Sequence, residues 1–396
     1  MDLSMRGKNV SPSSTLAMNT IANRLKAEGK KVINFGVGEP DFDTPQYIKE
    51  AAVHAMEIGL TKYTPVSGLL ELRQAICNIL KRDYNLEYKP DEILVSNGAK
   101  HAIYNVLQAM IDPGDEVIIP SPYWVSYPEM VKLCDGIPVI IPTDPKNDFK
   151  LTPKQLEKHI TDRTKIFILN SPNNPSGTVY NLNELKAIAE VLVKHHICVI
   201  SDEIYDRLIY DDEKHYSIAT ISEEMKELTF IINGVSKSYA MTGWRIGYVA
   251  GSKEAIKIMT NIQSHTTSNA NSIAQYASMI ALQGGRDEIN SMVAEFDRRR
   301  KYMIKKLEEY GIDFVKPRGA FYVMMNISIY KGKQIDGELI DSSDKFAELL
   351  LKYNGVVTVA GSGFGNDDYI RLSYATSLDD IKIGLENINQ FIRSLR

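Results

Sequence analysis

Residues 164–205 read TKIFILNSPNNPSGTVYNLNELKAIAEVLVKHHICVISDEIY. The two ends, TKIFILNSP and ICVISDEIY, are short apolar runs rich in β-branched residues. The stretch between them, LNELKAIAEVLVKHH (182–196), spaces its apolar residues as one face of a helix does. The flanking runs are continuous rather than alternating, which fits strands covered on both faces. Strand, helix, strand in this order implies a parallel sheet with helices packed on both sides.

The same texture extends outward in both directions. Further strand candidates are EILVSNG (92–98), EVIIPSPYW (116–124), IPVIIPT (137–143), LTFIING (228–234) and WRIGYVAG (244–251), with a helix pattern in AIYNVLQAMI (102–111). The fold class is therefore α/β: a large domain with a mainly parallel seven-stranded sheet, placed at 47–290. Beyond it, DRRRKYMIKKLEEYG (297–311) reads as a charged helix and GAFYVMMNI (319–327) as a strand. A helix near 344–353 and strands near 355–360 and 368–374 complete a smaller α+β domain at 291–396. Residues 1–46, with VINFGVG at 32–38, form an N-terminal arm that joins the small domain or the cleft. The run Arg298–Arg299–Arg300 is read as a solvated helix face. Gly36-Val37-Gly38 and Gly361-Ser362-Gly363 are read as loops.

Composition narrows the function. The 396 residues carry a net charge of −4, which gives no electrostatic case for nucleic acid or an anionic membrane. Cys77, Cys134 and Cys198 have no metal-ligand spacing, and an odd count argues against a disulfide framework. The N-terminus lacks a secretory apolar run, and no stretch approaches the length of a membrane helix. The expectation is a soluble cytoplasmic protein without a metal.

Open α/β sheets bind ligands beyond the carboxyl ends of their strands. Reading those ends gives Gly98, Ala99 and Lys100, then Trp124, Asn174, Asp202, Tyr205 and Lys237. Taken singly, each has an ordinary explanation as a cap, turn, core or surface residue. Taken together they are chemically complementary to one ligand. The turn from strand into helix at Gly98–Lys100 offers free N–H groups to a phosphate, and Arg245 offers a charged fork. Trp124 offers a stacking face, and Asp202 could keep a ring nitrogen protonated. Tyr205 and Asn174 suit a ring hydroxyl, and Lys237, among small neighbours in NGVSKSYAMTGWRIGY (233–248), offers an amine able to form a Schiff base. These are the parts of pyridoxal 5′-phosphate.

At this point the chain resembles the fold-type I, class-I pyridoxal-phosphate aminotransferases over essentially its whole length. GVSKSYAMTGWRIG (234–247) matches that family's lysine signature, and SPNNPSG, SDEIY, TKYTPVSG and RLSYA recur in the family's order. GVGEPDFDTP, SPYWVSYPEM and AMTGWRIGY look like the bacterial aspartate (aspartate/prephenate) subgroup. The resemblance implies that Lys237 is the catalytic lysine and that Asp202 partners the pyridinium. Tyr205 and Asn174 would meet the phenolic oxygen and Trp124 the ring. Gly98, Ala99, Lys100, Ser236 and Arg245 would surround the phosphate, and Tyr63 would reach it from the other subunit of a homodimer. Arg371 would clamp the substrate α-carboxylate under Gly38, with Trp124 and Asn174 also lining the substrate's place.

Two departures matter. The best-known aspartate enzymes have a phosphate-binding serine where this chain has Gly234, which leaves the role of Ser236 open. They also use a second arginine, and 261–275 contains none. In the bacterial subgroup a lysine and a threonine replace it, and Lys100 and Thr15 stand at those positions; a solvated or phosphate-paired Lys100 is the alternative. The implied activity is transamination from L-aspartate to 2-oxoglutarate, giving oxaloacetate and glutamate. Alternatives are prephenate or a broad aromatic or kynurenine specificity. A cofactor-sensing regulatory module would need a DNA-binding region, and a dehydrogenase would need a G-x-G-x-x-G turn opening a helix.

Overall fold

The computed structural model describes residues 2–12 and 14–396, without the side chains of residues 14–17, 19 and 26. The seven expected strands build one sheet: β1 (Ile93–Ser96), β2 (Glu116–Ser121), β3 (Ile137–Pro142), β4 (Thr164–Asn170), β5 (Cys198–Asp202), β6 (Thr229–Gly234) and β7 (Gly247–Ala250). Their order is β1-β7-β6-β5-β4-β2-β3. The pairs among β2 to β6 are parallel, whereas β7 runs antiparallel to both β1 and β6. Strands β1, β6 and β7 are buried along their whole length, while β3 at the sheet edge is half open to solvent. The helix Leu182–Lys194 that joins β4 to β5 starts where Asn181 and Glu184 satisfy each other's backbone amides, a reciprocal cap.

The reversed strand β7 brings the start of one strand to the edge where the parallel strands end. Gly247, its first residue, lies opposite Gly234 in β6 and Ser96 in β1. A Cβ on Gly247 would fall 2.2 Å from the Ala99 amide nitrogen, and one on Gly234 would fall 2.8 Å from the Ile246 carbonyl oxygen. Glycine at 234 therefore fits the crowded backbone there.

The C-terminal part carries a separate antiparallel sheet of β8 (Phe314–Val315), β9 (Tyr322–Asn326), β10 (Val359–Ala360) and β11 (Tyr369–Ser373), in the order β10-β11-β9-β8. The arm joins this part, since Ile33–Asn34 pairs in parallel with Val356–Val357. Its Gly36-Val37-Gly38 stretch is irregular as expected, whereas Gly361–Phe364 is a 3-10 turn rather than an open loop. The charged helix runs from Asp287 to Glu309, so residues 290 and 291 share one continuous helix. No helix among the described residues is long and apolar enough to cross a membrane.

The arginine run needs correction. Only Arg298 is solvated, paired along its own helix with Glu295. Arg299 reaches Asp41 of the arm at 2.7 Å and packs over the Phe42 ring. Arg300, its side chain 1% exposed, bonds Asp211 and Asp297 at 2.7 Å and the Pro317 carbonyl at 2.9 Å. Helical spacing turns consecutive residues 100° apart, so three adjacent arginines cannot share one face. Removing a buried ion-pair partner strands the other charges. Arg300→Ala should therefore lower stability by about 2–4 kcal/mol in urea denaturation, while Arg298→Ala should leave the midpoint unchanged.

Candidate active site

A cavity of about 390 Å³ opens at the carboxyl edge of the large sheet. Of the residues picked from the sequence, Gly38, Ala99, Lys100, Trp124, Asn174, Asp202, Tyr205, Ser236, Lys237, Arg245 and Arg371 all line it. Gly98 lies just behind the wall: at φ 85° it starts the helix Ala99–Met110, and a Cβ there would fall 2.2 Å from an Arg245 guanidinium nitrogen. Tyr63 is 90% exposed and lines no part of this cavity within one chain. Thr15 belongs to the helix Ser14–Ala27, but its side chain lies outside the described residues.

One end of the cavity is built for an anion. The first N–H groups of the helix Ala99–Met110 have no acceptor within the helix, and its positive dipole end faces the same way. Arg245, just before β7, is held there by bonds from its guanidinium to the carbonyls of Thr242 (2.9 Å) and Asn97 (3.2 Å). At the rim Lys100 carries its ammonium 4.8 Å from the centre of the Trp124 ring.

The base of the cavity is a buried carboxylate. Asp202 ends β5 and is 4% exposed. It accepts hydrogen bonds from the Tyr127 hydroxyl at 2.6 Å and the Ile204 amide at 3.2 Å. Burial outweighs these donors and pushes its pKa up to about 6. Lys237, beyond the end of β6, donates to the Gly38 carbonyl at 2.5 Å. Burial lowers its pKa to about 8, helped by Arg371 and Arg245 and opposed by Glu39 and Asp202.

Arg371, in the middle of β11, is 1% exposed. Its guanidinium bonds Asn174 Oδ1 at 2.9 Å and the Gly36 carbonyl at 3.0 Å, and it stacks on the Tyr322 ring at 4.3 Å. Its Nε is buried without a partner among the described residues. All these neighbours are neutral. A buried cation with an unmet donor has the chemistry to receive a carboxylate.

Of the lining residues that the sequence did not single out, three bear on the chemistry. Tyr127 lies one helical turn beyond Trp124 in SPYWVSYP, a spacing that could have been used. Tyr322, whose hydroxyl lies 2.9 Å from that of Tyr205, sat in a run that read only as core strand. Glu39, bonded to the Thr242 hydroxyl at 2.7 Å, had no signal at all. No cluster of metal-binding side chains occurs among the described residues.

Comparison with known proteins agrees with this geometry. The family model for aminotransferase class I and II matches residues 30–388. The chain belongs to the class I and II aminotransferases. It is 49% identical to the aspartate aminotransferase of Bacillus subtilis over 99% of each chain. It is 46% identical to a probable aspartate/prephenate aminotransferase of Rickettsia typhi, again over 99% of each. The crystal structure of the aspartate aminotransferase from Rhizobium meliloti superposes with a TM-score of 0.96 at 41% identity, covering 100% of both chains. That of Thermus thermophilus, with maleate, gives 0.93 at 40% identity over 98% of this chain and 99% of the other. Aminotransferases of this family use pyridoxal 5′-phosphate, and the cavity fits it: an anion cradle that a Cβ at Gly98 would fill, a buried carboxylate, and an amine of lowered basicity.

Two outcomes test this electrostatic arrangement in the cofactor-free aminotransferase. The Asp202 pKa is raised from 3.8 to about 6, so its contribution to stability is present below pH 4 and lost as pH rises through about 6. Asp202→Asn should thus raise the unfolding free energy in urea denaturation at pH 8 but not at pH 4, by up to roughly 3 kcal/mol. For Lys237, reductive methylation followed by peptide mass spectrometry should reach half its maximal rate near pH 8. Exposed lysines should require a pH above 10.

Proposed function

We propose that this aminotransferase exchanges the amino group of L-aspartate with 2-oxoglutarate, giving oxaloacetate and glutamate. The observation that carries the substrate class is the pair of cations in one cavity, the buried Arg371 with an unmet donor and Lys100 at the rim. One suits the α-carboxylate shared by all amino acids, the other a distal carboxylate. The relatives support this reading, because those of Bacillus subtilis and Thermus thermophilus are aspartate aminotransferases and the structure of the latter was determined with maleate, a four-carbon dicarboxylate. Prephenate also carries two carboxylates, and relatives such as that of Rickettsia typhi are named for it, so it is the second reading.

In this reading Gly98, Ala99, the backbone amide of Lys100, Ser236 and Arg245 would surround the cofactor phosphate, Trp124 would cover the ring, and Asn174 and Tyr205 would meet its hydroxyl. Bound pyridoxal phosphate supplies an aldehyde for amine exchange and a protonated ring that accepts the electrons of a broken Cα–H bond. Asp202, ionised at neutral pH, keeps the ring nitrogen protonated by pairing with it. Tyr127 holds the Asp202 carboxylate in line through its 2.6 Å bond. Arg371 grips the α-carboxylate in a fixed fork and so orients the Cα–H bond. Lys237, neutral above about pH 8, would take the proton from the substrate Cα as a base and deliver it as an acid to the carbon that carried the cofactor's aldehyde.

Three finer readings accompany the activity. The chain acts as a homodimer in which the exposed Tyr63 loop serves the neighbouring subunit's phosphate site. The molecule divides near residue 46 and near residue 290 into arm, large cofactor domain and small domain. It works in the cytoplasm, with Thr15 assisting Lys100 at the distal carboxylate.

Lys237→Ala should abolish turnover in a half-reaction panel followed by cofactor absorbance. Lys100→Ser should raise KM for aspartate at least tenfold, the worth of about 1.4 kcal/mol of lost ion pairing. The same change should move KM for phenylalanine little. Equal effects on both substrates would remove Lys100 from the specificity role.

A further inference from the structure

Behind Asp202 lies a second polar cluster that the transamination chemistry leaves unused. Side chains alternate along a strand, so Ser201 and Glu203 point away from the face that Asp202 takes. Glu203 is 1% exposed. One carboxylate oxygen accepts from Ser201 Oγ at 2.8 Å and from Ser217 Oγ at 2.6 Å. The other lies 3.1 Å from His215 Nε2. The His215 side chain is 4% exposed, and its Nδ1 finds no partner among the described residues. The Tyr84 ring packs edge-on against it at 5.6 Å.

A carboxylate is kept in such a place only when it is paired and hydrogen-bonded. The ionisable groups coupled electrostatically to Glu203 are Tyr84, Tyr88, Tyr248 of β7 and, from the other face of the strand, Asp202. Asp206 and Arg207 lie one layer further out, against Tyr84. Among the described residues, His215 is the one group bonded to the Glu203 carboxylate that can carry a positive charge. The backbone links the cluster to the cavity. The Glu203 amide donates to the Ile232 carbonyl at 2.9 Å, and the Asp202 carbonyl accepts from Asn170 Nδ2 at 3.0 Å.

We propose that Glu203 and His215 are a positioning pair for Asp202: they fix the end of β5 and, through the balance of their charges, set the field in which the Asp202 carboxylate works. The pair acts through Asp202 and touches neither cofactor nor substrate. The idea rests on the reading of Asp202 as partner of the ring nitrogen, but its test does not.

The test uses the full-length protein freed of cofactor and labelled with carboxyl-13C aspartate. The Asp202 signal is identified by its loss in Asp202→Asn, and its titration midpoint is followed by NMR; for the unaltered chain it should lie at about 6. Glu203→Gln keeps the shape and the oxygen that faces the serines but removes the negative charge, so the midpoint should fall by about one pH unit. His215→Phe leaves the Glu203 charge without its partner, so the midpoint should rise by a similar amount. His215→Gln, which retains a donor and disturbs packing less, should move it the same way by a smaller step. Shifts of opposite sign support the pair. Midpoints that stay put, or that move together in the Glu203 and His215 variants, overturn it, because a purely structural role gives no sign reversal. Because no cofactor is present, such a failure leaves the Asp202 reading standing. That reading fails separately if Asp202→Asn binds pyridoxal phosphate and turns over as the unaltered chain does.

Discussion

Burial works against the charged forms of Lys237, Asp202 and Arg371, and the three stand around one cavity. Removing such groups from water is costly, so the surrounding structure has to meet their hydrogen bonds without neutralising them. Asp202 receives two donors, Lys237 one carbonyl, and Arg371 two oxygens and an aromatic face. The partners of Arg371 are all neutral. The site is thus held in a state that an anionic ligand with a basic ring completes. The cost is met by the remainder of the fold, whose four large apolar clusters lie around and beneath the sheet edge.

That edge exists because one strand is reversed. With β7 antiparallel, Arg245, two residues before it, arrives beside the turn that follows β6 and carries Lys237. Crowding at Gly234, Gly247 and Gly98 is the geometric condition for this meeting, since each position faces backbone or a guanidinium at contact distance. The N–H groups that begin the helix Ala99–Met110 are brought to the same place by the pairing of Ser96 with Gly247. Small residues here serve close approach of chain to chain as much as access for a ligand.

Much of this was legible in the sequence because it depends on local order. Strand ends punctuated by polar residues identify a ligand edge once the strands are known, and TKIFILN and ICVISD declare themselves by their apolar continuity. What stayed hidden depends on distant contacts. Arg299 and Arg300 look like surface charge until Asp41 and Asp211 are brought against them from elsewhere in the chain. Glu39 acquires meaning only when Thr242 stands beside it, 203 residues away. Tyr322 reads as core by its neighbours, yet it supports both Tyr205 and Arg371. Periodicity records which face of an element is covered, and is silent on which partner covers it.

In the proposed reading Arg371 and Lys100 receive the two carboxylates, and they differ in stiffness. Arg371 presents a planar fork locked by Asn174, Gly36 and the Tyr322 ring, with no room to move. Lys100 is a point charge on a flexible stem, resting on the Trp124 indole at the solvent rim. Recognition of the α-carboxylate by Arg371 would therefore be rigid, as a reaction that depends on the orientation of one C–H bond requires. Recognition of the far end is soft: an ammonium that leaves an aromatic face loses about 0.5–1 kcal/mol at an exposed site, a small barrier to rearrangement. Such a site can favour dicarboxylates without excluding neutral side chains. A shift in specificity then needs changes at the rim alone, while the sheet edge that fixes the reaction stays as it is.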